Sequence, residues 1–343
     1  MKRIGIIFGG ANNEHEVSCN SARSVAEHLD PQQFEAVLIG IDLAGGWHRV
    51  DSVDELRQAS GGSRFPDLAG IDVAFPTLHG RFGEDGTVQG LLEMARLPYV
   101  GCGVLASALA MDKLLAQRLL ALAGIPTIPT HAVTAASAAD ALGYADDFGY
   151  PVFVKPNRSG SSVGASRVES AEGIAVAVAL ALEHDSTALI QQAITGDEVD
   201  LGVLQRPDGS LIVGAPLRIL TDSSAAFFDY TAKYTSGGGA TLEVPAQIPA
   251  ETAARLAELA LLCFRTLGCE GLSRVDFFVG SDGKITFNEV NTLPGLTAFS
   301  QYPRMWQAVG VGYAELLTRM IERAQVTFEA TPRMLPGTAY SPA

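Results

Sequence analysis

Between Arg274 and Asn291 the sequence carries a guanidinium, two carboxylates and an amide at spacings that a β-hairpin would bring onto one face. Asp282-Gly283, set between two alternating apolar runs, is a strong short hairpin signal. Pairing symmetric about that turn puts Ser281 opposite Lys284 and Asp276 opposite Glu289. Opposed side chains of an antiparallel pair have Cβ atoms roughly 4.5–5.5 Å apart, and Asn291 shares the face of Glu289 by the period of two. Like charges so placed repel unless a cation lies between them, and hard oxygen donors of this kind suit Mg²⁺ shared with substrate phosphates. Arg274, two residues before Asp276, falls on the same face, suited to meeting negative charge. The plainer alternative is a solvated hairpin with its acids on the wet side.

A phosphate-binding element is the natural complement to such a site. The sequence has no P-loop pattern and no Gly-x-Gly-x-x-Gly after its first strand. Lys155 to Gly164 offers another cradle: Lys155 ends a strand, and Gly160, Ser161, Ser162 and Gly164 form a loop whose backbone N–H groups can approach phosphate oxygens. Alone, the same stretch reads equally well as a flexible turn. Lys113, inside an expected helix, reads by itself as a solvated lysine.

The elements that must position these residues follow an α/β pattern. Strands are expected at Ile4–Phe8, Phe34–Ile41 and Ile71–Phe75, with helices at Asn20–Leu29, Ser52–Gln58 and Thr87–Arg96. Such alternation predicts a parallel sheet with ligands beyond the carboxyl ends of its strands, where the loops Gly9–Ser18 and Thr77–Gly86 lie. A helix over Ala106–Ala123 stops at Gly124-Ile125-Pro126. Beyond it come strands at Pro151–Lys155, Ala188–Gln192, Glu198–Leu204 and Leu211–Ile219 and a helix at Ala171–Glu183. A Gly-rich segment at Thr235–Ala240, helices at Ala250–Leu267 and Met305–Arg323, and a loosely docked tail from residue 331 complete the reading. Boundaries near residues 102 and 190 give an N-terminal unit (1–102), a central one (103–190), a C-terminal one (191–330) and the tail (331–343).

Composition narrows the chemistry. The 343 residues include 24 Lys plus Arg against 38 Asp plus Glu, a net charge of −14 that excludes nucleic acid as a general partner. The first apolar run ends at Gly9-Gly10, so it reads as a buried strand and not a signal peptide, and no run is long enough to span a bilayer. A cytoplasmic protein is expected. Cys19, Cys102, Cys263 and Cys269 lack metal-ligand spacing, which points to neither a disulfide frame nor a zinc site.

Taken together, several segments in one order resemble the ATP-grasp superfamily and, within it, the D-alanine–D-alanine ligases. They are His15-Glu16-Val17-Ser18, His79 through Gly86 with Gln89 to Glu93, Met111-Asp112-Lys113, Lys155 through Gly164, Phe228 through Tyr234, Arg274-Val275-Asp276, and Asn288 through Gly295. The resemblance covers nearly the whole chain and implies three domains, the first a Rossmann-like parallel sheet. ATP would lie between the other two. By the same resemblance Lys113, Lys155 and Lys233 would contact ATP phosphates, Ser162 would belong to the ATP site, Gln191 and Gln192 would border the adenine, and Glu198 would meet the ribose. Asp276, Glu289 and Asn291 would hold two Mg²⁺ ions, for which Mn²⁺ could substitute.

The implied reaction is ATP-dependent formation of D-alanyl-D-alanine through an acyl phosphate, for peptidoglycan precursors. Glu16 would bind the first D-alanine's ammonium and His79 would lie near its carboxylate. Ser161 and Tyr234 would link to Glu16 and close the site; Arg274 and the N–H of Gly295 would stabilise the tetrahedral oxyanion. Ser300 and Gln301 would serve the second amino acid. Without the resemblance, Glu16 reads as a helix-capping residue and His79 as a loop histidine. Gln191-Gln192 departs from the acidic or Glu-Lys pairs usual in relatives. D-Serine or another small D-amino acid stays open as the second substrate, while Tyr234 disfavours D-lactate. A nucleotide-binding sensor, the rival from another class, would need no oxyanion donor such as Arg274. A homodimer is implied by the resemblance alone.

Overall fold

The computed structural model describes residues 1–221 and 240–330, in three sheets. The first sheet holds β1 (Lys2–Gly9), β2 (Phe34–Ile41), β3 (Trp47–Val50) and β4 (Val73–Pro76) in the order β3-β2-β1-β4. β1 runs parallel to both β2 and β4, while β3 is antiparallel to β2. Ile4, Ile6 and Phe8 enter one core and Ile7 the other, so β1 is covered on both faces and its sequence is continuously apolar. Helix α1 (His15–His28) covers the first face and α2 (Thr87–Met94) the second.

The helix expected over Ala106–Ala123 is two helices, α3 (Val104–Met111) and α4 (Lys113–Leu122). Asp112 leaves the helical conformation, and its side chain caps α4 by accepting from the N–H of Leu115 at 3.0 Å. The Asn157 side-chain oxygen accepts from the next free donor, the N–H of Leu114, at 2.9 Å. That break brings Lys113 to a helix start, facing inward.

The second sheet is antiparallel, with β5 (Thr130–Val133), β6 (Val152–Pro156), β7 (Ser166–Val168) and β8 (Ala188–Gln192) in the order β5-β8-β6-β7. Helices α5 (Ala141–Phe148) and α6 (Ile174–His184) share its core. The third sheet has six strands: β9 (Asp197–Gln205), β10 (Leu211–Val213), β11 (Leu217–Thr221), β12 (Ala240–Glu243), β13 (Leu272–Val279) and β14 (Ile285–Asn291). The single strand expected at Leu211–Ile219 divides because Pro216 has no N–H, and Ala215 donates instead to the Met305 carbonyl.

Helix α7 (Ala250–Thr266) lays Leu256, Leu259, Ala260, Cys263 and Phe264 onto that sheet, an i, i+3, i+4 stripe. The expected terminal helix is also two, α8 (Gln301–Gln307) and α9 (Tyr313–Ala330), parted where Gly310 takes φ +85°. Leu316, Leu317, Met320 and Ile321 of α9 share a core with β1, so the last helix returns to the first sheet. No helix among the described residues is long and apolar enough to cross a membrane.

Candidate active site

The β13–β14 hairpin places Asp276 opposite Glu289 and Arg274 opposite Asn291, as period-two pairing predicts. The route to that register differs from the simple one. The turn is a three-residue loop, Ser281 to Gly283, closed by Gly280 donating to the Lys284 carbonyl at 2.9 Å, with Gly283 at φ +79°. This shifts the ladder by one, pairing Phe277 with Phe287, and a bulge at Asn288 takes up the difference.

β9 extends the row. Asp200 pairs with Asp276 on its other side, so Asp200, Asp276 and Glu289 stand in line across three strands. Ligand oxygens of Glu198, Asp200 and Asp276 lie within 4.8 Å of one another. Asp276 is 1% exposed, which rules out the solvated-hairpin alternative. Its oxygens accept from Arg274 Nε at 2.8 Å, Arg274 Nη2 at 2.7 Å and Asn291 Nδ2 at 2.9 Å. Lys113 Nζ is 3.7 Å from Glu289 and donates to the Ser159 carbonyl at 2.6 Å. Glu198, Asp200, Asp276 and Glu289 thus gather near Arg274 and Lys113, with Lys155 on the wall of the adjoining cavity, and hard oxygen donors grouped in this way fit a divalent ion bound together with phosphates. Among these, Asp200 escaped sequence reasoning. Its signal was an acid inside the apolar run Val199 to Leu204.

At the carboxyl ends of β1 and β4 two loops meet. Asn12 Nδ2 donates to the carbonyls of His79 (3.0 Å) and Arg81 (2.9 Å), and its side-chain oxygen accepts from the N–H of Glu14. Glu14, immediately before α1, is thereby turned inward, where Ser161 Oγ donates to its carboxylate. The packing is close enough that a Cβ on Gly80 (φ +64°) would clash with Glu14 Oε2. Glu16 is therefore corrected: its side chain is 56% exposed and paired with Arg57 at 2.7 Å, outside the cavity. Two residues along the first turn rotate a side chain to the far side of a helix, so Glu14 and not Glu16 faces the site.

His79 is buried, with Nδ1 3.0 Å from the Leu293 carbonyl and Nε2 3.1 Å from Ser21 Oγ. Burial lowers its basicity, and the neutral ring donates from Nδ1 and accepts at Nε2. Both nitrogens are engaged within the protein, although the ring lines the cavity. Glu84, which sequence reasoning passed over, accepts from the N–H groups of Gly80 (2.8 Å) and Leu293 (3.2 Å). Burial, then the neighbouring Glu14 charge, push its carboxyl up to about 8.

Lys155, Ser162, Gln191, Gln192 and Glu198 line a second cavity of about 360 Å³. Ser161 (φ +48°) and Ser162 (φ +59°) both adopt the left-handed region, which costs free energy for non-glycine residues and marks this loop as held by its surroundings. Gln191 spends its amide on Thr130 Oγ1 at 2.9 Å, so its side chain is turned to the protein. The first cavity, about 500 Å³, is lined by Glu14, His79, Arg274, Gly295, Ser300 and Gln301 among others. Ser300 Oγ accepts from the Thr297 N–H at 3.1 Å just ahead of α8, and Gln301 begins that helix. The two cavities share Lys113, Ser161, Glu198 and Glu289 in their walls. Lys233 and Tyr234 lie outside the described residues.

Comparison with known proteins accords with this geometry. Residues 3–102 match the family model of the D-ala D-ala ligase N-terminus, and residues 119–322 that of the D-ala D-ala ligase C-terminus. A D-alanine–D-alanine ligase of Corynebacterium aurimucosum is 45% identical over 348 residues, covering 94% of this chain and 97% of the relative. The crystal structure of the VanG D-Ala:D-Ser ligase from Enterococcus faecalis matches with a TM-score of 0.83 at 37% identity, over 94% of this chain and 99% of that one. The D-alanine–D-alanine ligase of Bacillus anthracis complexed with ATP gives 0.77 at 28% identity, over 97% and 100%. Matched in both halves and sharing the ATP-grasp fold of these neighbours, the chain belongs to the D-alanine–D-alanine ligase family.

Proposed function

We propose that this protein joins two D-alanines in an ATP-dependent reaction through an acyl phosphate, supplying a peptidoglycan precursor. The observation that carries the reading is the junction of the two cavities at Lys113, Ser161, Glu198 and Glu289. A nucleotide bound along the Lys155 loop would present its terminal phosphate there, against a substrate bound beside Glu14 and Arg274. The carboxylate of the first D-alanine attacks that phosphorus, and ADP leaves. The amine of the second attacks the acyl carbon, and inorganic phosphate departs after the tetrahedral oxyanion collapses.

Each residue acts through position and charge. Lys113 and Lys155 offset charge on the transferring group, where phosphoryl transfer depends mainly on placement and electrostatics. Glu14 accepts the ammonium of the first D-alanine, and Ser161 fixes the Glu14 carboxylate while tying the phosphate loop to the N-terminal unit. Arg274 and the Gly295 N–H meet the oxyanion; Ser300 and Gln301 border the second amino acid. Asp276, Glu289 and Asn291 would hold Mg²⁺, which supplies further neutralisation of phosphate charge. Ser162 and Glu198 serve the nucleotide, with backbone groups at Gln191 and Gln192 facing the adenine. His79, with both nitrogens occupied, supports the wall of the substrate cavity. Units divided near residues 102 and 190, a homodimer and a cytoplasmic location complete the reading.

The test is ATP-dependent ligation with D-alanine alone and with D-serine, other D-amino acids or D-lactate added, the products identified by mass. D-Alanyl-D-alanine should dominate. Mixed products alone would overturn the choice of second substrate, and no ATP-dependent product would overturn the ligase reading.

A further inference from the structure

We infer that Asp200 is a positioning residue that keeps the Arg274 guanidinium aimed at the acyl centre once Asp276 is engaged by a metal ion. The inference deepens, and rests on, the ligase reading. Asp200 is wholly buried on β9, directly opposite Asp276, and one of its oxygens is 3.6 Å from Arg274 Nε. Asp200 and Arg274 both line the substrate cavity. In this structure Arg274 gives Nε and Nη2 to the two oxygens of Asp276. A divalent ion accepted by Asp276 draws off that negative charge and repels the guanidinium. Of the three carboxylates that act on Arg274, Asp276 and Glu289 would hold the ion, which leaves Asp200 to meet the guanidinium. A second carboxylate across the strand pair holds it in place.

Packing alone gives no reason for an acid here. Burying a carboxylate is costly, and an apolar residue would fill the interior of β9 with less penalty. The same row supplies the exchange: as the ion takes Asp276, Asp200 takes Arg274. Asp200 thus acts through Arg274, and without it Arg274 would compete with the ion for Asp276.

The experiment compares wild type, Asp200→Asn, Arg274→Ala and the double variant. It measures Mn²⁺ binding by electron paramagnetic resonance with a non-hydrolysable ATP analogue, steady-state kcat and KM, and melting temperature. Asp200→Asn should weaken Mn²⁺ binding and lower kcat, each by about tenfold, the scale of one charge-assisted hydrogen bond, with KM for ATP unchanged. In the Arg274→Ala background the same substitution should change neither further. A lowered melting temperature with wild-type Mn²⁺ affinity and kcat would reduce Asp200 to a structural role and overturn the inference. So would an undiminished effect in the Arg274→Ala background, which would mean that Asp200 acts on the ion directly. Asp200→Ser serves the same comparison should the asparagine variant not fold. Wild type that makes no dipeptide overturns the ligase reading itself, a distinct failure.

Discussion

The hairpin and the loops after β1 and β4 both line one cavity, and they are positioned by different physics. In the hairpin, Arg274, Asp276, Glu289 and Asn291 are positioned by strand pairing, in which side chains alternate strictly and neighbours are set by the ladder. A turn longer by one residue was absorbed by a bulge at Asn288, and the functional face survived. In the loops, Glu14 is aimed by Asn12 bridging two segments far apart in the chain, and by the point at which α1 begins. There a shift of two residues exchanges a cavity-facing carboxylate for an exposed one.

The largest effect expected tests the hairpin. Arg274→Ala should lower turnover about 100- to 1,000-fold, the cost of one oxyanion donor, with modest change in nucleotide binding measured by calorimetry. Activity near wild type would remove Arg274 from the chemistry.

Next in size is the contrast between the two glutamates. Glu14→Gln should raise KM for D-alanine roughly 10- to 100-fold by weakening a charged hydrogen bond, whereas Glu16→Gln should stay within about threefold because its pair with Arg57 is exposed. Equal effects in steady-state kinetics would erase the distinction drawn from α1.

Ser161→Ala probes the tie between the two regions. Loss of its bond to Glu14 should cost about tenfold or less in kcat/KM, and amide hydrogen exchange in the 158–165 loop should rise. Unchanged exchange would show that the tie does not order the loop.

The smallest effect concerns pH. An ordinary glutamate has its pKa at 4.5, but folded Glu84 keeps its proton up to about 8, chiefly through burial. Across that window the unfolded chain binds fewer protons than the folded one, so this contribution is present at low pH and is lost as pH rises toward 8. Glu84→Gln should flatten the decline, as read from melting temperature between about pH 5 and 8; an identical decline would place its origin elsewhere.

Much of the fold was legible. Strands β1, β2 and β8 and helix α7 follow from runs whose period and end signals are clear, such as the Leu256 to Phe264 stripe stopped at Gly268, whereas β3 was not expected and α1 begins at His15, five residues before the expected start. Two of the misses share a cause, the lack of a local mark. The helix over Ala106–Ala123 has no Gly or Pro to mark its break, which comes from Asp112 and from Asn157, 43 residues away from its partner. Thr130–Val133 is too short to announce a strand without β8 beside it.

Residue types and period-two spacing by themselves marked a hairpin that carries the acid pair, its amide and its arginine on one face, because side-chain alternation along a strand is local; the pairing of Asp276 with Glu289 held because the bulge at Asn288 offset the longer turn. The tertiary structure decided what local rules leave free. It turned Glu14 inward and Glu16 outward, made Lys113 a buried cation near Glu289, and brought Asp200 into the row. In each case the deciding partner comes from a distant segment, and burial, which sets the worth of a charge, exists only when the sheets have packed.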